Sequence, residues 1–171
     1  MHITTFKVNN FINHKKILID LIKKIPKTFI HSDRERISHS DCELPNTMYR
    51  EYKEYFLQNI FNDYCKNLCT VFNFKEINLG KLWFQVYGLG DQHKNHTHGG
   101  AHFTNVFYIN LPSEELLTQV TGPSDQKIIL KAEEGDIVTF PAYYNHHSPK
   151  NTHDEEKIII SFNIDIWRYA K

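Results

Sequence analysis

Cysteine is scarce: Cys42, Cys65 and Cys69 are the only 3 in 171 residues, and no two of them stand as CxxC. That excludes a paired zinc knuckle and a small fold stapled by disulfides. Cys65 and Cys69 are spaced as neighbours on one helix face, so all three are expected to be reduced and structural. An excess of one charge is also missing. Lys plus Arg and Asp plus Glu number 20 each, for a formal net charge of zero, and no basic stripe stands out. The composition therefore gives no electrostatic case for a nucleic-acid partner. No stretch approaches the roughly 20 apolar residues of a membrane-spanning helix. The opening MHITTFKVNN has neither the basic start nor the apolar run of a secretion signal. A soluble protein kept in the cytoplasm is the expectation. No linker, repeat or low-complexity tract divides the chain, and 40% hydrophobic residues suffice for a real core. One domain over 1–171 is expected, and oligomeric state is left open.

The two halves differ in periodicity. Residues 14–29 (HKKILIDLIKKIPKTF) place Ile17, Leu18, Leu21 and Ile22 at steps of three and four. This predicts a short amphipathic helix that Pro26 ends or interrupts. Residues 31–47 are polar and aperiodic and read as a loop or irregular segment. From Met48 to about Phe74, Tyr52, Tyr55, Phe56, Ile60, Phe61, Tyr64, Leu68 and Phe72 predict the longest helix, one that needs a sheet to cover. After Gly80 the segments 81–88, 103–110, 127–131, 136–140 and 157–166 are rich in β-branched and aromatic residues. Turn-forming residues separate them, so they read as short strands, and HITTFKV at the start adds an edge strand. The expected class is mainly β with packed N-terminal helices, a barrel or sandwich rather than a doubly wound sheet. Helical support is assigned to about 14–74 and the barrel core to about 80–166.

Histidine is what the sequence has in excess. Seven of 11 fall in two groups: HKNHTHGGAH (His93, His96, His98, His102) and NHHSPKNTH (His146, His147, His153). Residues two apart on a strand face the same way, so His96 and His98 can converge on one ion. His146, beyond the strand GDIVTF, is placed to bring a third imidazole from a returning strand. Three such ligands leave coordination positions open, which suits a catalytic metal rather than a closed structural zinc site. His93 is expected on the approach loop, and His102 as a partner behind the ligands or as a fourth ligand. His147 is expected to point away from His146.

The ordered passages WFQVYGLGDQHKNHTHGGAHFTNVFYINLP, GDIVTFPAYYNHHSPKN and KIIISFNI resemble the iron(II)/2-oxoglutarate-dependent oxygenases, in particular small phage and bacterial members related to prolyl hydroxylases. The resemblance covers roughly residues 80–165. It implies a double-stranded β-helix (a jelly roll, or cupin-like barrel) with Fe(II) held by His96, His98 and His146. It also implies 2-oxoglutarate as cosubstrate. Lys157 would hold the distal carboxylate, at the position where the family pattern RxSxSFN has Arg. Tyr87 and Tyr108, the latter in FYIN, which is similar to the family's YYLN strand, would add hydroxyl contacts. Asn105, Thr104 and Asn163 are weaker pocket-wall candidates, and Trp83, Phe103 and Trp167 are expected to pack. The implied activity is a dioxygenase that consumes dioxygen and 2-oxoglutarate to hydroxylate a C–H bond. The substrate would be a small molecule or a peptidyl residue such as proline. One departure is plain: the common pattern is His-x-Asp or His-x-Glu, and here the second position is His98. Gly90-x5-His96-x-His98 and Gly135-x5-Pro141 with His146 also resemble the two cupin motifs, although the cupin glutamate after His98 is absent and Tyr143 replaces a glycine. A cupin-type metalloenzyme without 2-oxoglutarate is therefore one alternative. A noncatalytic ligand-binding jelly roll is another.

Overall fold

In the computed structural model, which describes residues 3–26, 28–32, 35–45 and 47–167, three layers stack on one another. In chain order the elements are β1 (Thr4–Lys7), α1 (Phe11–Lys23), β2 (Phe29–Ser32), β3 (Glu35–Ser40), α2 (Glu51–Phe56) and α3 (Asn62–Phe72). Strands β4 (Glu76–Tyr87), β5 (His93–His96), β6 (Phe103–Asn110), β7 (Gln119–Thr121), β8 (Lys127–Ile128), β9 (Asp136–Pro141), β10 (Asn145–Ser148) and β11 (Lys157–Trp167) follow. One sheet has seven strands in the order β1-β9-β6-β11-β4-β3-β2, and a second has four in the order β5-β10-β7-β8. The pairings are antiparallel. The helices cover the outer face of the larger sheet, and the smaller sheet covers its inner face.

Strand alternation separates these two cores. On β11, Ile158, Ile160, Phe162 and Ile164 meet the helices, while Ile159 joins Val106, Tyr108, Val138 and Phe140 between the sheets. The helical layer owes its fit to a run of buried residues at strict steps of four: Tyr52, Phe56, Ile60, Tyr64 and Leu68. In a straight α-helix each such step overshoots a full turn by about 40°, so four steps would carry Leu68 roughly 160° from Tyr52. A π-helical segment at Leu57–Phe61 joins α2 to α3. Its wider winding takes back part of that drift and keeps the stripe on the sheet.

The architecture matches a jelly-roll arrangement of two antiparallel sheets, but neither sheet closes on itself, so the expected barrel is an open sandwich. With three α-helices among the described residues it is mixed rather than mainly β. The predicted helix over 14–29 is α1, which starts earlier, stops at Lys23 before Pro26, and leaves Ile17 exposed at 41%. Residues 31–47, read as a loop, contain β3 and part of β2. Polarity hid them, because Ser38, His39, Ser40 and Asp41 are buried and still have hydrogen-bond or strand partners. The Ser40 hydroxyl donates to the Phe84 carbonyl (2.7 Å), and Asp41 accepts from the Phe84 amide (3.0 Å) and the Tyr52 hydroxyl (2.8 Å). The strand expected over 127–131 shrinks to β8, and β7 went unread because three residues carry too little pattern. Cys42, Cys65 and Cys69 are free thiols. No described helix is long and apolar enough to cross a membrane.

Candidate metal centre

The second sheet brings two histidines together by register. β10 lies antiparallel to β5 with His146 directly opposite His96. Asn151 fastens the loops around them: its side-chain amide donates to the Tyr87 carbonyl (2.9 Å), and its own carbonyl accepts from the Gly90 amide (2.7 Å). The pairing expected of His96 and His98 on one strand is only half met, since β5 ends at His96. His98 lies in the following loop, where its amide donates to the Ala142 carbonyl (2.9 Å). The loop still returns it to the same place. One ring nitrogen from each of His96, His98 and His146 lies within 4.8 Å of the others.

The hydrogen bonds around these rings set their chemistry. His96 Nδ1 is 2.8 Å from the Lys94 carbonyl and His146 Nδ1 is 3.0 Å from the Tyr144 carbonyl. A carbonyl can only accept, so both rings carry the proton on Nδ1 and offer Nε2 as a lone-pair donor. Burial holds the three imidazoles neutral. It lowers His146 to about 3 and His98 to about 4, assisted by the neighbouring imidazoles, and lowers His96 as well.

Beside the cluster, His93 stacks on His96 with ring centroids 3.9 Å apart, and its Nδ1 is 3.5 Å from Gln85 Nε2. It therefore stands closer to the centre than an approach-loop residue would. His147, next along β10, also borders the cleft, and its Nδ1 meets Asn95 Oδ1 at 3.0 Å. His102 is in neither of its expected places: its Nδ1 accepts from the Ile166 amide (3.0 Å), and Asp165 lies 3.3 Å away. His153 pairs with Glu115 at 2.8 Å.

Lys157, Tyr87 and Tyr108 are brought together deep between the sheets. The ammonium of Lys157 is fully buried, 5.2 Å from the Tyr87 ring centroid and 6.0 Å from that of Tyr108. It donates to the Leu116 carbonyl (2.6 Å) and the Ser148 hydroxyl (2.8 Å). Among the described residues no carboxylate reaches it, and burial lowers it from its ordinary 10.5 to about 7. The Tyr108 hydroxyl accepts from the Thr118 amide at 3.1 Å. Ser148 went unread in the sequence, yet the signal was there: it follows His146 by two on one strand and so shares its face. The same rule places Trp83, Gln85 and Tyr87 on one face of β4, and Trp83 stands 5.5 Å from the His98 ring as a wall of the cleft rather than as remote packing. Thr104 and Asn163 bond to each other (2.7 Å) farther along the inner face. Asn105 turns the other way and bonds to Tyr64 (2.6 Å). Phe103 stacks on Phe72 in the helical core, and Trp167 is 54% exposed.

The sequence matches no protein-family model and no curated protein. Solved structures do match. A viral collagen prolyl hydroxylase from Paramecium Bursaria Chlorella virus-1, in its 2-oxoglutarate complex, aligns over 98% of this chain and 97% of its own, with 17% identity and a TM-score of 0.61. An oxidoreductase of the 2-oxoglutarate–Fe(II) oxygenase family from Burkholderia pseudomallei aligns over 94% and 85%, with 11% identity and a TM-score of 0.73. The α-ketoglutarate-dependent epimerase SnoN of nogalamycin biosynthesis aligns over 95% and 76%, with 12% identity and a TM-score of 0.69. The chain shares its fold with these proteins.

On that fold the donor set fits a divalent first-row metal. Neutral imidazoles with fixed tautomers suit iron, zinc, copper or nickel, and three ligands leave room for further ones. Among the described residues the cleft lining, which includes Trp83, Gln85, Tyr87, Thr118 and Ser148, contains no acidic side chain. Three neutral imidazoles without a carboxylate would leave the ion its full charge.

Proposed function

We propose that the chain is an Fe(II)- and 2-oxoglutarate-dependent dioxygenase that hydroxylates a C–H bond of a small molecule or of a peptidyl residue such as proline. The observation that supports this best is the nearness of two features. Three imidazole nitrogens converge on a cleft that Tyr87 and Ser148 also line, and the buried ammonium of Lys157, bonded to that Ser148 hydroxyl at 2.8 Å, lies behind it against the rings of Tyr87 and Tyr108. A cupin-type centre has no need of the second feature. A ligand-binding jelly roll needs neither.

In this reading His96, His98 and His146 hold the iron, which supplies the site for oxidative decarboxylation of 2-oxoglutarate by dioxygen. Lys157 takes the distal carboxylate, and Ser148 Oγ, already 2.8 Å from its ammonium, turns a hydroxyl to the same group. Tyr87 and Tyr108 wall that end and exclude water. The backbone carbonyls of Lys94 and Tyr144 keep His96 and His146 in the tautomer that binds metal. Trp83 bounds the side from which a substrate would approach.

The test is an anaerobic Fe(II) titration with and without 2-oxoglutarate. Metal-to-ligand charge-transfer absorption that appears only with both, and is lost in Lys157→Ala or His146→Ala, is the expected result. Iron binding without any response to 2-oxoglutarate would sink this reading in favour of a cupin-type enzyme.

A further inference from the structure

A groove of about 1460 Å³, separate from the metal cleft, lies between the segment around Asp41–Lys53 and the edge of β4 at Leu79–Leu82. Groove and cleft are lined by near neighbours on β4: Lys81 lines the groove, and Trp83, two residues on, lines the cleft. The Lys81 ammonium stands 5.7 Å from the Trp83 ring centroid, and the Trp83 ring stands 5.5 Å from that of His98.

The other charges of the groove are already engaged: Arg50 and Lys53 have Asp41 at 3.1 and 3.5 Å, and Glu54 accepts from Tyr49 and Gln58, whereas Lys81 is exposed and among the described residues no carboxylate pairs with it. Among the described residues the cleft itself brings no acid to the imidazoles. A ligand passing from the groove to the imidazoles therefore crosses one free cation held over an aromatic face and meets no negative charge farther in.

Resting on the oxygenase reading, we infer that Lys81 is a specificity residue that selects substrates bearing an anionic group, carboxylate or phosphate, on the side of the molecule nearest the groove. Trp83 holds the ammonium stem at the cleft mouth, and the substrate body occupies the groove. Neutral analogues lose the one charge contact at that mouth.

The test uses Trp83 as its own reporter, in full-length protein carrying Trp167→Phe so that Trp83 is the remaining one of 2 tryptophans. N-acetylglycine, methyl phosphate and the neutral N-acetylglycinamide are titrated at constant ionic strength while Trp83 emission is followed. Both anions are expected to change the emission saturably and the amide to leave it unchanged, and the tighter anion shows whether carboxylate or phosphate is preferred. Lys81→Met should weaken the anion response by about fivefold, the scale of one partly shielded ion pair. Lys81→Arg should keep it. An equal response to the amide, or an undiminished response in Lys81→Met, would overturn the inference. Absent charge-transfer absorption with Fe(II) and 2-oxoglutarate would instead remove the oxygenase reading, and the Trp83 titration would still decide whether Lys81 selects anions.

Discussion

His146 on β10 and His96 on β5 are Cα partners in one antiparallel ladder. The ladder sets the distance between two donor rings before any metal arrives, and a slip of one residue would turn both rings to the wrong face. The third ring, His98, depends on a loop bond to Ala142. The centre is thus two-thirds sheet and one-third loop.

Replacing either ladder ligand should abolish tight metal binding while leaving the fold intact. For His146→Ala or His96→Ala the expected loss of Fe(II) affinity is about 100-fold or more, at or beyond the upper range for residues that merely support a metal ligand. Anaerobic calorimetry measures the affinity, and far-ultraviolet circular dichroism confirms the fold. Binding retained within a few-fold would remove that histidine from the ligand set.

Lys157 makes a pH prediction whose sign is fixed by burial. Its folded value is lowered to about 7, against 10.5 unfolded. Below about 7 both states hold the proton, and the cost of burying the charge is fully present. Between about 7 and 10 the unfolded chain holds a proton that the folded one has released, so stability of the metal-free protein rises with pH. Burial holds Tyr52, Tyr64 and Tyr87 above their ordinary 10.0, so their ionisation in the unfolded chain reverses the trend above that pH. Urea unfolding at pH 7.5, 8.5 and 9.5, above the range where the buried imidazoles titrate in the unfolded chain, should show the rise in the native chain and the loss of most of it in Lys157→Met, the lowered Lys53 accounting for the remainder. A flat or falling profile in the native chain would mean that the ammonium stays charged when folded.

Much of this was legible from residue order, and the exceptions have physical causes. The step-of-four run from Tyr52 to Leu68 announced a helix, and the β-branched segments after Gly80 announced strands. The hairpin of β2 and β3 stayed hidden because its buried side chains include Ser38, His39 and Ser40, whose partners Thr28, Phe84 and Gln85 lie in other segments. At the site, HxH spacing and the distant His146 were readable. The places of His102 and His93 were not, because loop geometry sends His102 to Asp165, and an irregularity in the register of β5 brings His93 onto His96 three residues away.

Tyr64 ties α3 to the sheet through a closed buried triangle. Its hydroxyl donates to Asn105 Oδ1 (2.6 Å), and Thr139 Oγ1 lies 3.0 Å from the hydroxyl and donates to the same Asn105 oxygen (2.7 Å). Tyr64→Phe leaves Asn105 one donor and should cost about 1–2 kcal/mol in urea unfolding. Asn105→Ala strands both hydroxyls and drops a bond to the Phe162 carbonyl. It should cost about 2–4 kcal/mol. Equal costs for the two would show that Thr139 does not support Asn105 alone.

Gly135 opens β9 with φ of +88°, and a Cβ there would meet Phe11 Cγ at 2.6 Å. The ring opposite is held in the helical core and cannot simply swing aside. Gly135→Ala therefore combines a left-handed backbone penalty with a rigid clash, together about 2–4 kcal/mol. Pairing it with Phe11→Ala should relieve the clash but not the backbone part. Thermal unfolding of the single variants and the pair measures the coupling, and strict additivity would mean the contact is not rigid.

His98 gives the sharpest chemical prediction, because it stands where the resembling family commonly has a carboxylate. His98→Asp places a negative charge beside His96 and His146 in a cleft without any. An anionic ligand raises the energy of the metal electrons, so the charge-transfer band formed with Fe(II) and 2-oxoglutarate should move to lower energy than in the native chain. Iron affinity should hold or rise, since charge is gained while the number of donors is kept. The shorter side chain also withdraws from Trp83, whose ring now stands 5.5 Å from His98, so Trp83 emission should change even without metal. Anaerobic absorption spectra of both proteins at matched loading make the comparison. An unmoved band would show that position 98 does not ligate the iron, and would leave His93, stacked on His96, as the next imidazole to replace.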